Sequence, residues 1–128
     1  MNSNSPTEQQ MMAFATHEDN GPIIMLNLLK FKDKVEETGE SGLASYASYS
    51  QKVAPLLAKV GGKPLLHAKT DQVLIGSDEE DLWDQVLVVE YPSRAAFIQM
   101  VQSPEYQEAL PERNQALERS KLIVNSKA

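Results

Sequence analysis

Four side chains in this chain have the type and setting to take part in chemistry: Asn27, His67, Glu90 and Arg113. Asn27 interrupts an apolar run, with Met25 and Leu29 as its neighbours on one strand face. A buried amide needs partners. It could polarise a substrate carbonyl or stabilise an oxyanion, or it could tie down a bulge or a dimer edge. His67 is the one histidine outside the N-terminal arm, which holds His17. Imidazole is the commonest general base near neutral pH. Lys63 and Lys69 are expected on its strand face, which also suits a solvated or interfacial ring. Glu90 shares a face with Val86 and Val88 and would be an acid-base group if buried, a solvated strand end otherwise. Arg113 could clamp a carboxylate through two parallel hydrogen bonds, or pair with Glu90 or Glu108.

Tyr46 and Tyr49 are candidate ligand-binding residues. They lie on the apolar arc of a helix, where their hydroxyls could line a cavity or their rings could simply pack. Trp83, Tyr91, Phe97 and Tyr106 read as packing. Asp78, Glu79, Glu80, Asp81 and Asp84 form an acidic cluster without the central glycine and terminal glutamate of a calcium loop. It reads as solvated charge. The sequence holds no Gly-rich phosphate loop, no HExxH and no nucleophile elbow. With no cysteine and two separated histidines, neither a disulfide nor a preformed zinc site is expected. No metal and no cofactor is assigned.

The elements that must position these residues follow from the patterning. Ser5-Pro6-Thr7-Glu8 reads as a capping box with proline at the first helical position. It opens a short helix to about Thr16, with Met11, Met12 and Ala15 on one side. Ile23 to Lys32 is a strand: Ile23, Met25, Leu29 and Phe31 share one face, and Ile24, Leu26 and Leu28 the other. Both faces are apolar, so both need cover. After a polar loop, Leu43 to Val60 has helical spacing, with Leu43, Tyr46, Tyr49, Val53, Leu56, Leu57 and Val60 on one arc. Pro55 should bend this helix, and Gly61-Gly62 ends it. Pro64 to Gly76 reads as a second strand, broken near Thr70-Asp71-Gln72, and Trp83 to Tyr91 as a third; an acidic turn makes them a hairpin. Pro92-Ser93 stops the strand and caps a helix carrying Ala96, Phe97, Met100 and Val101. Ser103-Pro104 starts another helix, which Pro111 restarts or kinks. Leu122 to Val124 is a short last strand. The result is an α+β, ferredoxin-like β-α-β-β-α-β order. Residues 1–21 form an N-terminal helical arm and 22–128 a single domain.

Bulk properties exclude several classes. A chain of 128 residues is of single-domain size. Its formal charge of -6 comes with no basic stripe, because Asp33, Glu36 and Glu37 dilute Lys30, Lys32 and Lys34. Neither nucleic acid nor an anionic membrane is an expected partner. MNSNSPTEQQ lacks the basic and apolar regions of a secretory signal, and the longest apolar run, Ile23 to Leu29, falls far short of a membrane span. A cytoplasmic location is expected.

Several motifs recur in one order. They are Asn27-Leu28-Leu29-Lys30-Phe31-Lys32, Gly61-Gly62, Trp83-Asp84, Glu90-Tyr91-Pro92-Ser93, and Ser103-Pro104-Glu105-Tyr106-Gln107 with Arg113. In these residues, spanning about 22 to 124, the chain resembles DUF1330, an uncharacterised bacterial family that looks like part of the dimeric α+β-barrel superfamily. The resemblance implies a four-stranded antiparallel sheet with helices on one face. It also implies a homodimer in which two sheets form a barrel and cover the second apolar face of the first strand. Members of that superfamily include cofactor-free monooxygenases, lactone isomerases and haem-binding enzymes, often with small ligands between sheet and helices. Their catalytic residues differ from family to family, so none is transferred. Many DUF1330 members look like Gly-Gly-Arg with a second arginine four positions later. Here the run is Gly61-Gly62-Lys63-Pro64-Leu65-Leu66-His67, and His67 stands at the second arginine's position. A neutral imidazole is a weaker anion partner.

Two functional expectations remain. One is a cofactor-free, monooxygenase- or isomerase-like enzyme acting on a small carbonyl or aromatic metabolite. In it Asn27 polarises a carbonyl, Arg113 holds an anionic group, and His67 or Glu90 moves a proton. The other is a non-catalytic, ligand-binding or stress-associated dimeric module.

Overall fold

The first strand organises the molecule because its alternate residues meet different surroundings. A computed structural model describes residues 4–128. In β1 (Ile23–Phe31), Ile23, Met25, Leu29 and Phe31 are buried, while Ile24, Leu26 and Leu28 are half-buried. Period-two alternation puts these sets on opposite faces. The buried set faces the helices α2 (Gly42–Lys59), α4 (Arg94–Gln102) and α5 (Pro104–Ala116); the other set lies on an open face.

With β2 (Lys63–Lys69), β3 (Gln85–Tyr91) and β4 (Leu117–Asn125), β1 forms one sheet in the order β2-β3-β1-β4. All three pairings are antiparallel. This is the ferredoxin-like arrangement that the element order predicts. Two further helices, α1 (Glu8–Ala15) and α3 (Asp78–Asp81), lie outside the β-α-β-β-α-β frame.

Local chemistry starts and stops these elements. Ser41, Ser77, Ser93 and Ser103 each cap the following helix by accepting a hydrogen bond from the backbone N–H three residues on. α2 and α5 pack side by side, joined where Ser45 Oγ donates to Glu112 O (2.9 Å) and Lys52 pairs with the Glu112 carboxylate. Hydrogen bonds from Lys52 and then Ser48 hold that carboxyl below its ordinary pKa. Gly42 is the close approach: its N–H donates to Lys32 O, while Lys32 N donates to Ala116 O. A Cβ there would sit 2.5 Å from both of those carbonyl oxygens.

Several boundaries differ from the sequence expectation. The N-terminal cap is Thr7 with Gln10, not Ser5, so Pro6 precedes the helix. Met12 is exposed, and Phe14 anchors α1 edge-on against Phe97 (5.3 Å between centroids) beneath the Arg94 guanidinium. Leu43 is exposed, because Gly42 and Ser45 take the inward positions where α2 meets α5. β2 ends at Lys69, the acidic turn is one capped helical turn, and β3 starts after Trp83-Asp84. β4 starts at Leu117, five residues earlier than its apolar run suggests, because it pairs along nearly the whole of β1.

Candidate functional site

The layer between sheet and helices holds every tyrosine of the chain. Tyr46 and Tyr49 come from successive inward turns of α2, Tyr106 from the first turn of α5, and Tyr91 from the helix-facing end of β3. All four are buried. The rings form a chain: Phe31 to Tyr46 (5.4 Å), Tyr46 to Tyr49 (5.2 Å), and Tyr49 to Tyr106 (6.0 Å, edge-on). The Tyr49 and Tyr106 hydroxyls share a hydrogen bond of 2.9 Å. Tyr91 packs edge-on against Phe97.

Burial governs the ionisation of this cluster. It pushes Tyr46 up to about 12, opposed by the positive charge of Arg113 and assisted by Tyr106. Burial also raises Tyr49 well above the ordinary tyrosine value, with Tyr106 and Tyr46 adding to the effect and Arg113 opposing it. Tyr91 also moves up through burial and its neighbours Tyr106 and Tyr46. At neutral pH these hydroxyls stay protonated, and within the Tyr49–Tyr106 pair one hydroxyl donates to the other.

Arg113 belongs to this region. It lies in the last turn of α5, half-buried, close enough to act electrostatically on Tyr46 and Tyr49. Its Nη1 donates to the backbone oxygen of Asn4 (2.7 Å) and makes a longer contact with Asn114 Oδ1 (3.5 Å). Neither expected partner, Glu90 or Glu108, is used. Asn4 in turn donates to Leu117 O (3.2 Å) and accepts from Ser120 Oγ (2.7 Å), which ties Asn4 to β4 beside this end of the layer.

The other candidates do not converge on Arg113. Asn27 faces the helices, but its amide nitrogen donates to Leu87 O (3.2 Å) and toward Met25 O (3.5 Å). To polarise a carbonyl it would first have to break one of these bonds. His67 pairs with Leu87, which pairs with Asn27, so the two lie in one row on the same face, two strands or about 10 Å apart. His67 is exposed, with Nε2 2.7 Å from Gln85 Oε1. Its expected face-mate Lys63 lies on the opposite side, because a register shift between Pro64 and Leu66 reverses the alternation; Lys69 stays beside it. Glu90 pairs with Ile24 and therefore occupies the open face, 3.8 Å from Lys127 Nζ. It cannot reach the tyrosine layer without crossing the sheet.

Two surface recesses lie elsewhere. One of about 420 Å³ is lined by Lys30, Lys32, Lys34, Asp33, Asp84 and Glu118, whose charges offset one another. There Asp84 accepts from Phe31 N (2.8 Å) at the β1–β4 bulge and pairs with Lys30. The other, about 400 Å³, opens between Leu28, Trp83, Arg119 and Ile123. Among the described residues no group of three or more His, Cys, Asp or Glu side chains is placed to hold a metal ion. No helix among them is long and apolar enough to cross a membrane.

The family model described as domain of unknown function (DUF1330) matches residues 41–126. The chain belongs to this family. Its matched segment takes in α2 through β4, and so all four tyrosines and Arg113, but not β1 with Asn27. No curated protein matches the chain. Among solved structures, RPA0582 from Rhodopseudomonas palustris, described as a protein of unknown function, is 33% identical; the alignment covers 100% of this chain and 98% of that one, with a TM-score of 0.92. A dimeric protein of unknown function and ferredoxin-like fold from Bacteroides fragilis is 17% identical over 84% of this chain and 97% of its own, with a TM-score of 0.54. SnoaB from Streptomyces nogalater, described as a cofactor-independent oxygenase, is 11% identical over 84% of this chain and 94% of its own, with a TM-score of 0.55. At those identities the last two are similar in fold alone.

Reading the sequence alone does not pick out Tyr91 and Tyr106 as members of a polar cluster. The local signal was the three-residue spacing of Tyr46 and Tyr49. The hydroxyl of Tyr106 meets that of Tyr49 only because α5 packs beside α2.

Proposed function

We propose that this DUF1330 member is a self-associating protein that handles a small carbonyl or phenolic metabolite in the tyrosine layer, without a cofactor. The observation that carries the reading is the buried Tyr49–Tyr106 hydroxyl pair within electrostatic reach of Arg113. Protonated phenols are hydrogen-bond donors, and a guanidinium supplies compensating charge. Together they suit an enolate or phenolate better than a neutral ligand. Charge developing on a substrate oxygen in such a site is stabilised without a metal, which is what cofactor-free proton transfer or oxygenation requires. The fold likeness to a cofactor-independent oxygenase supports this reading by analogy. Self-association is supported by the half-buried apolar open face and by the dimeric description of a structural neighbour.

A second reading, binding without turnover, is favoured by the placement of the bases. Glu90 is on the far face of the sheet, and His67 is exposed at its edge. An NMR titration with a panel of small phenols and 1,3-dicarbonyl compounds tests both readings, with oxygen uptake followed in parallel. A ligand that shifts layer resonances, and loses at least tenfold in affinity in Arg113→Met and in Tyr49→Phe, supports the site. Turnover with such a ligand separates enzyme from binder. Binding that ignores both substitutions sinks the assignment.

A further inference from the structure

The connection between β2 and β3 exposes two large aliphatic side chains in succession: Leu74 is 86% and Ile75 94% exposed. This segment is not a free tip. Its neck is closed by Thr70 N donating to Asp84 O (3.1 Å). Gly76, at φ +137°, lies so close to the Asp81 carboxylate and to Val73 that a Cβ would come within 2.5 and 3.1 Å of them, so residues 73–76 are folded back on α3. α3 is fastened in turn to β4: Arg119 Nη2 donates to the carbonyls of Glu79 (3.2 Å) and Glu80 (2.9 Å) while its guanidinium stacks over Trp83. The connection therefore leaves β2 at one edge of the sheet and is anchored at the β4 edge, the opposite one.

The β2 edge has the matching deficit. Every residue of β2 except Ala68 is exposed, Leu65 and Leu66 among them at 52% and 51%. Two adjacent exposed leucines on an edge strand form an apolar surface on which another chain can pack. The charges complement as well. β2 carries Lys63 and Lys69, and the connection carries Asp71, Asp78, Glu79, Glu80 and Asp81.

We propose that the Val73–Gly76 segment is an arm that grips a second copy of this chain, with Leu74 and Ile75 packing on Leu65 and Leu66 of that copy's β2. A twofold axis running along the strands brings the β4 edge of one copy to the β2 edge of the other, and makes the same contact twice. The proposal rests on the self-association proposed above and specifies which edges meet.

The absence of cysteine gives a direct test. Leu74→Cys and Leu66→Cys proteins are mixed, allowed to exchange subunits, and oxidised; a mixed disulfide between them is expected. In a second experiment, sedimentation of Leu74→Asp/Ile75→Asp should show association weakened, with Kd raised at least tenfold. Its circular dichroism should match the unmodified chain, because both side chains are already exposed within one copy. A dimer that yields no mixed disulfide and keeps its Kd in the aspartate variant overturns the arm but leaves self-association standing. A monomer at all concentrations overturns both.

Discussion

Tyr46→Phe isolates the consequence of burying phenols beneath a helix pair. In the folded chain the Tyr46 pKa is about 12, against 10.0 for an ordinary tyrosine. The unfolded chain therefore releases this proton first as pH rises, so folding is favoured below pH 10 and loses that contribution as pH climbs through the folded value. At 1.36 kcal/mol per unit, the loss is about 1 kcal/mol near pH 11 and approaches about 3 kcal/mol above pH 12. Against a typical stability of about 5–15 kcal/mol that is a measurable fraction. Tyr49 and Tyr91 shift in the same direction, so the alkaline loss of the unmodified chain exceeds what Tyr46 alone supplies. In Tyr46→Phe the Tyr46 share disappears. No hydrogen bond contributes to the Tyr46 shift, so removing the hydroxyl should change stability at pH 7 by no more than about 1 kcal/mol. The assay is the urea midpoint followed by circular dichroism from pH 7 to 11.5, with the tyrosinate absorbance of the folded chain recorded alongside. The expected result is a shallower alkaline decline in Tyr46→Phe, with the variant overtaking the unmodified chain near pH 11. Parallel declines would refute the reasoning, as would Tyr46, Tyr49 and Tyr91 titrating near pH 10 in the folded chain.

Two further perturbations address the frame around the cluster. Tyr49→Phe leaves the buried Tyr106 hydroxyl without its partner and should cost about 1–2 kcal/mol. Tyr49→Phe/Tyr106→Phe should cost less than the sum of the two singles, a coupling read from a double-mutant cycle of urea midpoints. Gly42→Ala forces a methyl against the Lys32 and Ala116 carbonyls and should destabilise by about 1–3 kcal/mol or more; a thermal midpoint unchanged within error would show that this approach relaxes freely.

Residue order alone determined the frame, because its signals are local. Alternation in Ile23–Phe31 separates two apolar faces without reference to anything distant. Ser93 and Ser103 announce helix starts because a cap is a bond to a backbone N–H two or three residues away. The order of strands and helices then leaves the ferredoxin-like sheet as the arrangement, and DUF1330 membership agrees with it. The candidate site was legible only in fragments. Tyr46 and Tyr49 were visible through helical spacing. The meeting of Tyr106 with Tyr49 was not, because it depends on how α5 lies against α2, 57 residues away in the chain. Counting in twos puts His67 and Lys63 on one face, and a single shift of register near Leu65 separates them. Glu90 and Asn27 both read as strand residues of interest, yet pairing put them on opposite faces of one sheet. Arg113 found a backbone oxygen at Asn4 rather than a carboxylate, a contact between chain ends that no periodicity encodes. Periodicity reports which face of its own element a residue occupies; which faces meet is decided by packing and register over the whole chain.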